Sequence, residues 1–261
     1  LTKVSIIIAI YNEAATISEL LRQVSTQAVL GLEKELVIIE SNSSDNTRQL
    51  VQDFAARHVS DSPPNHTTIK LILQKQAKGK GNAVREGLAA ATGDIILIQD
   101  GDLEYDVGDY PALLEPLLLG KADLVLGSRH LGAGSWKIRR FERNHCKAIL
   151  LNLGGIFFHS LFNIIYKQRI TDPTTMFKVF RRECLTGLHL EANRFDFDFE
   201  LLGKLLMKGY TPYEVPISYS SRGFSEGKKV QIIRDPWTWL VAIVRYRFSS
   251  VGSSAKEKAP H

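Results

Sequence analysis

Three acidic residues close an apolar run, Ile95-Ile96-Leu97-Ile98-Gln99-Asp100-Gly101-Asp102-Leu103-Glu104. Side chains alternate along an extended chain, so Asp100, Asp102 and Glu104 point the same way, and Gly101 between them lets a ligand come close to the backbone. Three hard oxygen donors converging in this way suit Mg2+ or Mn2+, an ion that also holds phosphate oxygens. The Asp-x-Asp triplet alone says little, because roughly one is expected by chance in a chain of this size. A second, Asp196-Phe197-Asp198, is indeed present. Context separates the two. The first ends a strand buried on both faces, where open α/β sheets bind their ligands, whereas the second precedes a helical pattern and could simply cap it.

The elements that must carry these acids are legible as alternating patterns. Residues 4–10 form an apolar, β-branched run, followed by the loop Tyr11-Asn12-Glu13 and the helical spacing Ile17, Leu20, Leu21, Val24. Residues 36–39 read as a second buried strand, ending in Glu40-Ser41-Asn42-Ser43-Ser44-Asp45, a tight polar loop in which Ser44 or Asp45 can cap a helix running through His58. That loop is either a capped turn or part of a nucleotide site. A third strand is expected at 69–73 after a surface loop at 61–66. Lys78-Gly79-Lys80-Gly81-Asn82 is then a basic, Gly-rich turn opening a helix at 83–91. Backbone N–H groups at a helix start, together with two lysines, favour an anion such as a diphosphate, although the spacing is not that of a Walker loop. Strands at 94–99 and 124–126 follow. The alternation predicts an α/β fold with a mostly parallel, doubly wound sheet, and four loops gathered at one sheet edge form its ligand crevice.

Composition sets the outer bounds. With 261 residues and 44% hydrophobic content the chain can build a substantial core, and its net charge of +5 calls for an anionic partner. Two cysteines, Cys146 and Cys184, lack metal-ligand spacing and are expected to be reduced thiols. The sequence opens on a strand pattern at Leu1, so no secretory leader is expected, and the missing initiator Met suggests trimming.

At this point an ordered set of motifs resembles family 2 glycosyltransferases of the GT-A fold, and within them the dolichyl- or polyprenyl-phosphate hexosyltransferases. The set comprises Ile10-Tyr11-Asn12-Glu13, Asn42-Ser43-Ser44-Asp45-Asn46-Thr47, Lys78-Gly79-Lys80-Gly81-Asn82-Ala83 and Gln99 to Tyr105. It continues through Gly127-Ser128-Arg129, Thr171-Asp172-Pro173, Phe177-Lys178-Val179-Phe180-Arg181 and Arg222-Gly223-Phe224-Ser225-Glu226-Gly227-Lys228-Lys229. The resemblance implies a Rossmann-like GT-A domain over residues 1–234 with basic and apolar interfacial helices inserted at 137–170. A C-terminal amphipathic helix at 235–248 and a disordered polar tail at 249–261 follow. It also implies an inverting transfer of a hexose from a GDP- or UDP-sugar to a polyprenyl or dolichyl phosphate.

Carried over position by position, the resemblance puts Ala9, Tyr11, Glu13, Glu40 and Asn42 around the nucleoside, and Lys80, Asp100, Gly101, Lys228 and Lys229 around the diphosphate. Asp100 and Asp102, with Glu104, would hold the metal. Glu104 stands where similar enzymes often have Gln, and Glu40 where Asp is more usual. Arg129 resembles the residue that receives the acceptor phosphate, Arg222 belongs to a basic loop that closes on the substrates, and Asp172 matches an acid near the reacting centre. Asp172 before Pro173 also reads as an ordinary turn. Asp198 and Glu200, at the head of a helix expected over 199–208, lie where hydroxyl-accepting relatives place a general base. An ionised lipid phosphate needs positioning and no strong base, whereas a sugar hydroxyl needs one.

The basic segment 137–147 followed by the uncharged stretch 148–166 predicts an apolar helix pair in the headgroup layer, since Asn152, Gly154, Gly155, His159 and Asn163 dilute it for a full span. Trp237 to Phe248, opened by Asp235-Pro236, suits an interface in the same way. A membrane surface on the cytoplasmic face is the expected location, for a peripheral protein or a piece of a longer one. The alternatives are a transferase acting on a hydroxyl and a non-catalytic nucleotide-sugar-binding or scaffold protein. Nucleic-acid binding is not expected, because the cations cluster around apolar segments without the aromatic pattern of such modules.

Overall fold

Uncharged runs of Ile, Leu and Val are stable only in the middle of a sheet whose two faces are both covered by helices. The computed structural model describes residues 1–60, 67–133, 145–222 and 234–249. Its first half runs β1 (Lys3–Ile10), α1 (Ile17–Thr26), β2 (Glu33–Glu40), α2 (Thr47–Ser60), β3 (Thr67–Leu73), α3 (Lys80–Ala90), β4 (Ile95–Asp100), α4 (Tyr110–Leu118) and β5 (Leu124–Ser128). The second half continues with α5 (Arg129–Ala133), α6 (His145–Tyr166), β6 (Lys178–Arg181), α7 (Phe197–Met207), β7 (Tyr213–Pro216) and α8 (Arg234–Arg247). The sheet order is β3-β2-β1-β4-β6-β5-β7, parallel except for β6, which lies antiparallel to β4 and β5. The expected doubly wound, mostly parallel α/β sheet is therefore present. The strand order reverses between β1 and β4, and the register there sets Ala9 opposite Asp100. Ile95, Ile96, Leu97 and Ile98 are all 0% exposed, and each contributes roughly 1.5–3 kcal/mol of burial. That anchors the strand whose tip bears the acids.

Several expected boundaries move. Strands β6 and β7 go beyond the five read from the sequence, because each has four residues and β6 carries Lys178 and Arg181. Helix α3 begins at Lys80, three residues before the expected start, which brings the second lysine of the basic turn onto the helix itself. Helix α7 begins at Phe197, so Asp198 lies inside it, and Asp196 at its head makes no side-chain cap. Of the interfacial helices expected over 137–170, the described part forms one helix, α6, and residues 137–144 lie outside the described residues. Among the described residues no helix is long and apolar enough to cross a membrane. Residues 250–261 of the expected tail lie outside the described residues.

One charged group inside the sheet carries a pH signature. Glu35 on β2, 1% exposed, accepts from the Ser5 hydroxyl, from the Thr92 N–H and hydroxyl at 2.8 Å each, and pairs with Lys70 at 2.9 Å. Burial alone would raise its carboxyl, but the Ser5, Thr92 and Lys70 contacts outweigh it and hold the group at about 2, below its ordinary 4.5. A depressed carboxyl stabilises the fold above its unfolded value and loses that contribution as pH falls through the folded one. Glu35→Gln should therefore lower the urea midpoint at pH 7 by an amount worth about 2–3 kcal/mol, with the gap to the wild type closing between pH 4.5 and 2. Parallel urea curves at neutral and acid pH measure this, and a gap independent of pH would refute it.

Candidate active site

The loops following β1, β4 and β5, together with α3, α6, α7 and the segment after β7, enclose a cavity of about 990 Å³. Ala9, Tyr11, Glu13, Lys80, Asp100, Gly101, Asp102, Glu104, Arg129 and Arg222 all line it. Most of the residues singled out in the sequence are therefore brought together.

At the tip of β4 the acids meet cations. Lys80 Nζ lies 2.5 Å from Asp100 Oδ1. The Arg222 guanidinium reaches Glu13 through Nη1 at 2.8 Å and Nη2 at 3.1 Å, and Asp102 Oδ2 through Nη2 at 2.5 Å. Its backbone N–H donates to Glu104 Oε1 at 2.7 Å, while the Tyr219 hydroxyl donates to Glu104 Oε2 at 2.7 Å. Burial, followed by the charges of Asp100 and Glu104, pushes the Asp102 carboxyl up to about 7 against the pull of Arg222. Asp100, Asp102 and Glu104 supply the hard carboxylate oxygens that Mg2+ or Mn2+ takes, each held here by a cation or a hydrogen-bond donor. Gly101 lines the cavity and also packs closely on β1. A Cβ there would sit 2.9 Å from the Ala9 carbonyl oxygen and 3.3 Å from Ile10 Cα, so its missing side chain admits the neighbouring strand.

A second cluster surrounds Arg129 at the end of β5. Its Nε and Nη2 donate to Asp172 Oδ2 and Oδ1 at 2.6 and 2.7 Å, and Nη2 also donates to Thr174 Oγ1 at 3.0 Å. The guanidinium stacks 5.2 Å from the Tyr219 ring centre and 5.9 Å from that of Tyr105. Against the effect of burial, the Arg129 charge holds the Asp172 carboxyl far below its usual range. Asp172 is 0% exposed and is not among the lining residues, so this acid stands behind Arg129 and fixes it. His159 Nε2 lies 2.9 Å from Thr174 Oγ1 and lines the same wall. His130, His159 and Asp172 bring potential ligand atoms within 4.8 Å of one another. Two of these three donors are imidazoles, which are poor partners for Mg2+, so by donor chemistry the all-carboxylate set at the tip of β4 suits that ion better.

The nucleoside loop departs from expectation. Glu40 is 0% exposed and bends back to accept from Ser43 N at 2.7 Å, Asn42 N at 3.2 Å and Arg48 Nε at 2.5 Å. Asn42 is exposed with φ 55°, a left-handed conformation that Asn tolerates. Neither residue lines the cavity, where Ser41, Lys78 and Gly79 stand instead. Asp45 Oδ1 accepts from Thr47 N at 2.9 Å, as its capping role requires. Lys228 and Lys229 lie outside the described residues.

Two features were not read from the sequence. Lys178, 0% exposed on β6, binds Asp198 Oδ1 at 2.7 Å, and Asp198 lines the cavity. A charged residue inside the apolar stretch Phe177-Lys178-Val179-Phe180 was the available sign, since lysine is buried only when paired. Glu200 is likewise committed, to Lys204 at 2.6 Å and to the N–H groups of Glu191 and Ala192. The other feature is an apolar wall in which Phe158 of α6 and Phe199 of α7 meet Trp239 of α8, with ring centres 5.3 and 6.3 Å from the indole.

Comparison with known proteins places this arrangement. A dolichol-phosphate mannosyltransferase of Pyrococcus furiosus is 28% identical over 228 residues, 87% of this chain and 59% of the relative. A dolichyl-phosphate beta-glucosyltransferase of Trichomonas vaginalis is 27% identical over 238 residues, 85% of this chain and 65% of the relative. The chain thus spans about three fifths of the length of these two proteins. The crystal structure of glucosyl-3-phosphoglycerate synthase from Mycobacterium tuberculosis in complex with Mn2+, UDP and phosphoglyceric acid aligns with a TM-score of 0.66 at 19% identity. It covers 95% of this chain and 79% of that one, and shares the GT-A fold. Residues 5–187, which hold the sheet from β1 to β6 and the acids at the tip of β4, match the model of Glycosyl transferase family 2, and the chain belongs to that family.

Proposed function

We propose that this chain is an inverting, metal-dependent hexosyltransferase that moves mannose or glucose from a GDP- or UDP-sugar to a polyprenyl or dolichyl phosphate at the cytoplasmic face of a membrane. The observation that carries the acceptor class is the pairing of charges. Each acid lining the cavity faces a cation: Glu13, Asp102 and Glu104 face Arg222, Asp100 faces Lys80, and Asp198 faces Lys178. Asp198, where a hydroxyl acceptor would need its base, is held by the buried Lys178 ammonium and is a poor general base, while Asp102, whose carboxyl is pushed up, is taken by the metal in this reading. A lipid phosphate, ionised at neutral pH, requires none and asks only for a rigid cationic seat, which Arg129 offers under the grip of Asp172.

In this reading Asp100, Asp102 and Glu104 hold Mg2+ or Mn2+, which supplies positive charge to the departing diphosphate. Lys80 at the first turn of α3 adds a cation and helix-end N–H groups to the same phosphates. Arg129 orients the acceptor phosphate, and Tyr105 and Tyr219 fix its guanidinium plane. The apolar wall of Phe158, Phe199 and Trp239 suits the first isoprene units. Trp237 at 69%, Ile164 at 74% and Phe248 at 81% exposure support docking of α6 and α8 on a lipid surface. The relatives named for dolichyl-phosphate transfer agree with this acceptor.

The test is transfer from a panel of GDP- and UDP-hexoses, with Mn2+, to a short polyprenyl phosphate in vesicles. A chelator-sensitive glycosyl phosphoprenol is expected. Transfer to sugar hydroxyls or to a soluble phosphate ester, with none to the prenyl phosphate, would overturn the acceptor assignment. A companion variant probes the base. Asp198→Asn should lower stability by about 3–5 kcal/mol, because the buried Lys178 loses its counter-ion, while turnover per folded molecule stays within about tenfold of wild type. A folded Asp198→Asn protein with a far larger turnover defect would restore the hydroxyl-acceptor reading.

A further inference from the structure

Resting on the metal-dependent reading above, we propose that Arg222 competes with the divalent cation for the same carboxylates, so that metal binds well only together with the nucleotide that draws Arg222 away. The guanidinium donates to both oxygens of Glu13 and to Asp102 and lies 3.7 Å from Glu104 through Nε, while the Arg222 backbone N–H donates to the same Glu104 carboxylate. Asp102 and Glu104 are also the hard donors that fit Mg2+ or Mn2+. A dication and a guanidinium cannot both take the same oxygen at short range, because the two charges repel strongly in a site where Asp102 is 9% and the Arg222 side chain 19% exposed.

The segment bearing Arg222 is docked as a unit. Ser220 N donates to the Glu104 carbonyl at 2.9 Å, the Tyr219 hydroxyl binds the Glu104 carboxylate, and Tyr219 forms a bridge with Tyr105. Residues 219–222 therefore connect three parts of the site: the Arg129 guanidinium through the Tyr219 ring, the acid loop through Glu104 and the β1 loop through Glu13. A nucleoside diphosphate brings new anionic oxygens to which the Arg222 guanidinium can transfer, freeing Asp102 and Glu104 for the metal. Metal and nucleotide then bind with positive coupling, and the coupling resides in one side chain. Glu13 acquires a role distinct from nucleoside contact, as the residue that parks Arg222 bidentately.

The experiment is Mn2+ titration followed by electron paramagnetic resonance of the free ion, on the full chain, with and without UDP or GDP. Wild type should bind Mn2+ weakly alone and more tightly with the matching nucleotide. Arg222→Ala should bind Mn2+ alone about tenfold more tightly than wild type, since charge-assisted hydrogen bonds are removed from the competitor, and the nucleotide effect should shrink by the same factor. Non-denaturing, millimolar guanidinium chloride added to Arg222→Ala should weaken Mn2+ binding back toward wild type, whereas sodium chloride at equal ionic strength should not. If Arg222→Ala fails to fold, Arg222→Lys, which keeps the charge but loses the fork, carries the same test with a smaller gain. Unchanged or weaker Mn2+ binding by a folded variant would overturn the competition while leaving the metal-dependent reading intact. Absence of Mn2+ binding by wild type with every nucleotide would overturn that reading itself.

Discussion

Asp102→Asn lowers kcat/KM for hexosyl transfer by about 10^2–10^3, the cost expected when one electrostatic contact to a departing anion is removed, and does so without lowering the melting temperature. The two halves of this expectation have one cause. Asp102 is crowded by Asp100 and Glu104 in a buried pocket, and its carboxyl is pushed up to about 7 by that burial and that repulsion. Removing its charge relieves the fold of like-charge repulsion while Arg222 keeps Glu13 and Glu104. The same removal strips the cation seat of a hard donor. Initial rates across a Mn2+ series, with thermal unfolding of the same preparations, measure both. A loss of rate that merely follows a loss of folded protein, or a rate within tenfold of wild type at saturating Mn2+, would defeat the assignment.

That signature separates two kinds of acid in one cavity. Asp102 is poorly accommodated by its surroundings and well suited to a ligand. Asp172, Asp198 and Glu200 are each matched to a buried cation and serve the scaffold that aims other groups. Residue type and spacing alone do not show which of these acids meets a buried cation, because the partners Arg129, Lys178 and Lys204 are brought to them by the fold. What was legible was the position of Asp100 at the end of β4 and of Asp102 just beyond it, because a short Ile/Leu run bounded by turn residues reads as an interior strand and open α/β sheets bind ligands at such strand ends. The resemblance in motif order pointed also to Arg129, Lys80, Glu13 and Arg222, all of which line the cavity.

What remained hidden depends on distance along the chain or on side-chain length. The contacts of Arg222 with Glu13 and Asp102 span 209 and 120 residues, and no local pattern encodes them. Glu40 was expected at the nucleoside, but its extra methylene lets the carboxylate fold back onto the Ser43 N–H and meet Arg48, which places it under the loop. Gly154 and Gly155 dilute the apolar stretch at 148–166 without interrupting helix α6. No atom lies within 4 Å of a Cβ built at Gly154, so the helix passes it without any turn being required.

The second large effect is expected at Asp172. Asp172→Asn leaves the Arg129 guanidinium, 6% exposed, without its bidentate partner, and breaking a buried pair from one side costs about 3–5 kcal/mol. Chemical denaturation should show that loss, and transfer should fall with it because Arg129 is no longer held against Tyr219 and Thr174. A single variant cannot say whether Arg129 serves the fold or the acceptor. The double variant Arg129→Met with Asp172→Leu can, because replacing both members of a buried pair by apolar groups of similar size recovers much of the stability. Recovery of stability without recovery of transfer, together with a raised KM for polyprenyl phosphate and an unchanged KM for the donor sugar nucleotide, assigns the guanidinium to the acceptor. If transfer returned along with stability, Arg129 would be only a packing element, and the acceptor phosphate would have to be held elsewhere in the cavity.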